Sequence, residues 1–326
     1  MSKKVLIVGG AGYLGGALTD VLAQTGHDFL VYDVLLYEES YRKPIPFVRG
    51  DVRDEPLLQR YLDWADEVIW LAALVGDPAC ALNESLTRAI NVTSVEYLRD
   101  HFKGPIVYVS TCSVYGAAET ELNEESELNP LSLYAQTKLE AERVLQGSRA
   151  TIFRLGTLYG VSDVHSRIRF DLVVNTLVMR AALHRKISVY GGMQYRPLVH
   201  VRDVADLIAS CIDAPRVGLY NVHAENMTIA TIADHIVGHF PDVQVDRGET
   251  LFQDNRNYRV SSDKARTELN FVAKYSVQDG IKELKQLIEE GRIKDSFITR
   301  FSNYLYLRPL ITEYQSPLGK VVTMNL

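Results

Sequence analysis

Lys4-Val5-Leu6-Ile7-Val8-Gly9-Gly10-Ala11-Gly12-Tyr13-Leu14-Gly15 is the stretch that decides the fold. A short apolar run bounded by turn residues reads as a strand buried on both faces, which is the habit of parallel sheets. It stops at glycines spaced G-x-x-G-x-x-G, and these pass directly into a helix-period segment over 14–24. Glycines at that point let backbone N–H groups approach a pyrophosphate, and the helix N-terminus adds positive partial charge. Asp33 closes the next apolar run, 18 residues beyond Gly15. A carboxylate there accepts hydrogen bonds from the ribose hydroxyls of an adenosine and repels a 2′-phosphate, so NAD is favoured over NADP. Arg42 and Lys43 are the nearby cations that would serve a phosphate instead.

Outward from this unit the pattern repeats. Apolar runs at 4–8, 29–32, 47–48, 68–71, 106–110 and 150–155 alternate with helical segments at 14–24, 56–64, 86–101 and 131–146. Right-handed crossovers between such strands give a doubly wound parallel α/β sheet, a Rossmann fold, with ligands beyond the carboxyl ends of its strands. After residue 160 the alternation loosens into a charged loop (Asp163, His165, Arg167, Arg169, Asp171) and a helix at 172–183. The expected division is a dinucleotide domain over 1–160, rejoined by 196–224, and a smaller α/β C-terminal lobe with its tail over 161–195 and 225–326.

Composition agrees with a globular chain of about two such units: 326 residues, 47% hydrophobic, 23% charged and 9% aromatic. No apolar run reaches the roughly 18–20 residues that cross a bilayer. Lys3 and Lys4 resemble the basic start of a signal peptide, but the run after them ends at glycines without a cleavage site. The expectation is a soluble cytoplasmic protein with no membrane partner. Cys80, Cys112 and Cys211 are odd in number and lack C-x-x-C spacing, which suggests neither a disulfide framework nor a zinc ribbon. His235 and His239 stand at i and i+4 without a third ligand, so no metal is expected. A formal charge of −6 and a pI near 5.8 disfavour nucleic-acid binding. The basic and aromatic tail from Arg292 reads as a packing or dimer segment.

Tyr134-Ala135-Gln136-Thr137-Lys138 places a phenol and an ammonium one turn apart on a helix face. A tyrosine near pKa 10 acts as a base at neutral pH only if positive potential lowers it by roughly 3 units. Lys138 and an oxidised nicotinamide would supply that. Ser110-Thr111-Cys112-Ser113-Val114-Tyr115-Gly116 ends the fifth strand, where a hydroxyl can bond the oxygen that Tyr134 deprotonates.

These segments, together with Gly50-Asp51-Val52, Leu71-Ala72-Ala73, Asn91 and His200-Val201-Arg202-Asp203-Val204, occur in the order that resembles the extended short-chain dehydrogenase/reductase family. That family comprises nucleotide-sugar epimerases, dehydratases and 4-keto reductases, and the likeness runs from about residue 4 to about 290. It implies NAD as cofactor, a nucleotide-diphosphate sugar as partner, and a homodimer through the helices near 86–101 and 131–147. Gly9, Gly12, Tyr13, Leu14, Gly15, Asp33, Asp51, Val52, Leu71, Ala72, Ala73, Asn91 and Ser110 are the implied cofactor residues, with Asn91 supporting the site. Thr111, Tyr134 and Lys138 are the implied catalytic set, Tyr134 and Lys138 also reaching the nicotinamide ribose. Arg196 and Arg256 are implied at the diphosphate, where a planar guanidinium binds two oxygens at once. Val75, Ser113, Thr157, Arg169 and Asn175 are the further substrate candidates.

Departures narrow the chemistry. The 4,6-dehydratases of the family place Asp and Glu after the active-site threonine; here Cys112 and Ser113 stand there, which disfavours that elimination. Leu74-Val75-Gly76-Asp77-Pro78-Ala79-Cys80, the run over 167–175 and Thr157 resemble bacterial C4-oxidising enzymes of GDP-heptose metabolism. The expected function is oxidation at C4 to a 4-keto sugar, as a 4-epimerase, a C4 dehydrogenase or a 4-keto reductase; the constellation serves all three. A non-enzymatic NAD sensor on this fold is the alternative class, and the intact Thr111, Tyr134 and Lys138 argue against it.

Overall fold

The computed structural model describes residues 2–248, 256–293 and 299–312. Seven parallel strands form the main sheet in the spatial order Gly218–Val222, Ala150–Leu155, Ile106–Thr111, Glu67–Trp70, Lys4–Val8, Asp28–Asp33, Phe47–Arg49. The order reverses at Lys4–Val8, which pairs with both Asp28–Asp33 and Glu67–Trp70. A crevice opens outside the carboxyl ends at such a reversal, because the flanking connections leave on opposite faces.

Strand alternation divides two cores. Val5 and Ile7 point into one core with Leu14, Leu18 and Leu22 of helix Tyr13–Leu22 and with Val204 and Ile208 of helix Val201–Asp213. Leu6 and Val8 point into the other with Leu58, Leu62, Trp70 and Leu98. A sheet buried on both faces needs apolar side chains at every position, which is why the run 4–8 does not alternate with polar residues.

Residues 86–101 are not one helix. Glu84–Arg88 and Ser94–His101 flank a π turn at Ala89–Thr93, and Asn91 lies in it. An i→i+5 turn inserts a residue and re-aims side chains, and it recurs beside functional sites. The helix expected over 131–146 spans Leu133–Val144, because the Ser132 hydroxyl caps it by accepting the Ala135 N–H at 3.2 Å.

The smaller lobe has its own core of Leu177, Val178, Ile187, Ile232, Ile236, Ile281 and Leu284. The chain crosses between cores more often than the expected division allows. Strand Tyr195–His200 joins Thr157–Tyr159 and Glu225–Thr228 in a separate sheet rather than the main one. Ala265 and Phe271, expected in the lobe, pack in the main core beside helix Val201–Asp213. Strand Asn257–Val260 pairs with Ala117–Leu122.

Candidate active site

The glycine turn, Asp33, Leu71-Ala72-Ala73, Thr111 and Thr157 all follow or end main-sheet strands at the carboxyl edge. They line one cavity of about 840 Å³, together with Gly9, Gly12, Tyr13, Leu14, Gly15, Asp51, Val52, Val75, Ser110, Ser113, Tyr134, Arg169, Arg196 and Arg256. That volume lies toward the upper end for small-molecule sites, about 300–1,000 Å³.

Two glycines are required by backbone crowding. Gly9 has φ +84°, and a Cβ on it would collide with the Ala72 backbone; one on Gly15 would collide with the Gly10 carbonyl. Gly12 is the N-cap of helix Tyr13–Leu22, and no side chain caps that end. First-turn N–H groups without a side-chain acceptor suit a pyrophosphate. Asp33 is half-buried; its two carboxylate oxygens accept the Ala11 N–H at 3.0 Å and the Leu35 N–H at 2.7 Å. Burial pushes its pKa up while these backbone bonds pull it down. Each oxygen keeps a lone pair for a ribose hydroxyl. Lys43 is drawn away from this rim into ion pairs with Asp20 and Asp163, both at 2.6 Å. Arg42 points to Glu38 at 4.0 Å. The residues present therefore fit NAD, and Lys43 is already committed elsewhere.

At the reacting end, Thr111 terminates strand Ile106–Thr111, and its Oγ1 accepts the Ser113 N–H at 3.1 Å. The Tyr134 phenol lines the same cavity, and Thr111 is among the groups that lower its pKa. Burial pushes the Tyr134 pKa up, the nearby Cys80 and the Asp77 carboxylate add to that, and Arg169 opposes it. Lys138 is not among the lining residues. It is 3% exposed, with Nζ 4.1 Å from the centroid of the Tyr108 ring, and burial lowers its pKa to about 7 although Glu142 pulls the other way. Arg169 is a cation that lowers the phenol pKa, beside the Lys138 that the sequence places one helical turn from Tyr134.

Behind the catalytic face runs a buried polar chain. Ser110 Oγ donates to Glu142 Oε1; Arg154 Nη2 meets Glu142 Oε2 at 2.7 Å; and Arg154 Nη1 donates to the Tyr115 hydroxyl at 2.9 Å. Ser110, expected at the cofactor, spends its proton in this chain. Cys112 is fully buried, its thiol donates to the Arg154 carbonyl at 3.1 Å, and burial pushes its pKa well up. A thiol held in that way faces no substrate.

Two expected contacts are corrected by the geometry. Asn91 does not line the cavity: its Oδ1 accepts the Leu74 N–H at 2.8 Å, and its Nδ2 donates to the Leu74 carbonyl at 3.0 Å and Thr137 Oγ1 at 3.1 Å. It joins the loop after the fourth strand to the Tyr134 helix, a supporting position, and it is not itself a lining residue. Asn175 is fully buried, with Oδ1 accepting the Gly160 N–H at 3.0 Å and Nδ2 facing the Tyr13 hydroxyl at 3.4 Å. Its amide is consumed in packing the lobe onto the glycine-turn helix, so it is not a substrate contact.

At the far end, Arg196 Nη1 donates to the Tyr195 carbonyl at 2.8 Å, and Arg256 Nη1 lies 3.3 Å from Asp77 Oδ2. Asp77 Oδ1 also accepts the Ser132 hydroxyl at 2.6 Å. Tyr258, whose hydroxyl is 3.4 Å from Ser113 Oγ, lines the cavity too. Neither Tyr258 nor Asp77 carried a signal in the sequence beyond neighbouring a motif. The His235 ring instead meets the Gln278 amide at 3.2 Å. Among the described residues no group of three His, Cys, Asp or Glu is arranged to hold a metal, and no helix is long and apolar enough to cross a membrane.

A dinucleotide crevice lined at its inner end by a tyrosine and a threonine fits an enzyme that moves a hydride to and from NAD. The model of the NAD dependent epimerase/dehydratase family matches residues 5–223, and the chain belongs to that family. The UDP-glucose 4-epimerase of Lactobacillus helveticus is 25% identical over 323 residues, covering 85% of this chain and 94% of the relative. A dTDP-glucose 4,6-dehydratase of an Actinoplanes species is 26% identical, covering 86% and 96%. The Thermus thermophilus UDP-glucose 4-epimerase, solved with NAD, superposes with a TM-score of 0.76 at 23% identity, covering 88% and 99%. The protein is an NAD-dependent member of this family, with the Rossmann fold described above.

Proposed function

We propose that the protein is a nucleotide-sugar 4-epimerase. The observation that carries the reading is that Thr111 and Tyr134 line the same cavity as the glycine turn and Asp33. Tyr134 takes the proton of the C4 hydroxyl, and Thr111 donates a hydrogen bond to the same oxygen. NAD, when bound, accepts the hydride from C4 and adds positive potential beside the phenol. Arg169 lowers the phenol pKa against the burial that raises it. Lys138, held on the Tyr108 ring, stands one helical turn behind the phenol. Arg196 and Arg256 receive the diphosphate at the other end of the cavity.

The positions that carry carboxylic acids in 4,6-dehydratases support epimerisation here. Cys112 is buried away from the cavity and Ser113 is not acidic, so no group at either place can drive elimination. The test is anaerobic incubation with UDP-, GDP-, CDP- and dTDP-sugars, including GDP-heptose, resolved by NMR and mass. A product of unchanged mass with inverted C4 and no net NADH is expected. A loss of two daltons with NADH formed would replace the epimerase by a C4 dehydrogenase. Tyr134→Phe is expected to lower turnover by about 10²–10⁴-fold while leaving NAD bound; a variant with full turnover would remove the tyrosine from the mechanism.

A further inference from the structure

The main cavity has a wall that belongs to neither the Rossmann motifs nor the sugar lobe. Helix Asn303–Thr312 lies over it, with Asn303, Tyr304, Leu307, Leu310 and Ile311 among the lining residues. These recur at helical spacing on one face, whereas Leu305 on the opposite face is 48% exposed. The inner face is anchored at three separate rims of the crevice. On the Asp33 side, the Tyr306 and Tyr37 rings lie 5.1 Å apart. On the side after the fourth strand, Asn303 Nδ2 donates to the Val75 carbonyl at 2.8 Å, and Leu307 and Ile311 pack with Leu74, Ala79 and Cys80. From the lobe, Asp171 Oδ2 accepts the Asn303 N–H at 2.9 Å, and Arg167 donates to Asn303 Oδ1 and to the Arg300 carbonyl. The Arg167 guanidinium in turn sits 3.8 Å from the centroid of the Tyr37 ring, tying the lobe to the Asp33 rim beneath the helix.

A dinucleotide on the glycine turn reaches from Asp33 toward Tyr134, and this helix is fastened to both of those regions. We propose that helix Asn303–Thr312 is the outer wall of the NAD site and sets the rate at which NAD leaves. The inference requires that the crevice hold NAD and does not depend on which sugar is oxidised. Cofactor exchange then requires breaking the Asn303 and Tyr306 contacts, several of them partly buried, so the helix slows release in either redox state. A cofactor kept in place between the two hydride transfers is regenerated on the same molecule, which favours a reaction without net redox change over one that must exchange NADH for NAD at each turnover.

The test uses the full-length holoprotein loaded with radiolabelled NAD, freed of unbound label and challenged with excess unlabelled NAD. The expected result is that Asn303→Ala and Tyr306→Ala release label at least tenfold faster than the parent, whereas Leu305→Ala, on the exposed face of the same helix, releases it at the parental rate. Circular dichroism and the thermal midpoint of the NAD-free proteins establish that each variant is folded. Parental release in a folded Tyr306→Ala variant overturns the proposal. So does equal acceleration by Leu305→Ala, which would mark general loosening of the helix, or a parent that exchanges its label within the mixing time. Label release is read without any sugar present, so turnover of the Tyr134→Phe variant tests the epimerase chemistry separately from retention.

Discussion

Lys138 is a residue whose usefulness is at odds with its surroundings. An ammonium 3% exposed among apolar neighbours is held down to a pKa of about 7, chiefly by desolvation, with Glu142 opposing the fall and the Tyr108 ring beneath it. In the unfolded chain the same lysine titrates near 10.4. The unfolded state therefore binds more protons between about pH 7 and 10.4, and the contribution of Lys138 to stability becomes less unfavourable as pH rises through that window. Replacement by methionine removes the buried charge and retains the aliphatic volume. In the NAD-free protein, Lys138→Met is expected to be more stable than the parent by at least about 1 kcal/mol at or below pH 7. That advantage should shrink as pH rises toward 10, when followed by urea denaturation. A variant less stable than the parent at pH 7 would show that the ammonium is better solvated than its burial implies.

The helix Leu133–Val144 carries the site as a unit. Tyr134, Lys138 and Glu142 stand at i, i+4 and i+8, so one face presents the phenol to the cavity, the buried ammonium behind it and the buried carboxylate one turn further on. Glu142 is paired there with Arg154 of the neighbouring strand Ala150–Leu155, whose guanidinium also reaches Tyr115. Removing one partner of a buried ion pair leaves the other uncompensated, at a cost of about 3–5 kcal/mol. Glu142→Ala is expected to lose that much in chemical denaturation, far more than Arg88→Ala, whose pairs with Glu84 and Glu140 are on the surface. Equal losses in the two variants would refute a structural weight for the buried pair. The Tyr-x-x-x-Lys spacing is visible in the sequence because helical period is local. Glu142 carries no such signal, since its partner lies on another strand and only the sheet brings the two together.

At the scale of the molecule, the two cores are joined by polar contacts. His200 Nε2 meets Glu283 Oε1 at 2.7 Å and Arg202 Nη2 meets Glu283 Oε2 at 3.1 Å, fastening the helix Val277–Glu289 of the lobe to the start of helix Val201–Asp213. His223, at the end of the edge strand, is buried against Ser262, with Nδ1 2.6 Å from its hydroxyl; desolvation, with a smaller push from Arg266, lowers its pKa to about 4. A histidine near 6.5 in the unfolded chain and near 4 in the fold contributes stability that is present above pH 6.5 and lost as pH falls through the window down to 4. His223→Gln is expected to flatten the stability profile between pH 6.5 and 4 by comparison with the parent, measured by denaturant titration at stepped pH. A profile of unchanged slope would place the acid sensitivity in other groups.

What the chain determined by itself is the part of the protein that local chemistry specifies. The apolar run 4–8, the glycines after it and Asp33 at the next strand end imply a parallel sheet and a dinucleotide crevice, because burial on both faces and backbone approach to phosphate each restrict which residues can occur. Tyr134 and Lys138 declare themselves by helical period. Tertiary structure alone decided the rest. Asn91 and Asn175 have the composition of ligand contacts, yet burial commits their amides to Leu74, Thr137 and Gly160. Arg169 acts on a phenol 35 positions away, and the tail helix Asn303–Thr312 reaches a cavity whose first residues lie near the opposite end of the chain. Those assignments depend on which buried polar groups find partners and on which segments are folded against one another, and neither is a property of any local stretch of sequence.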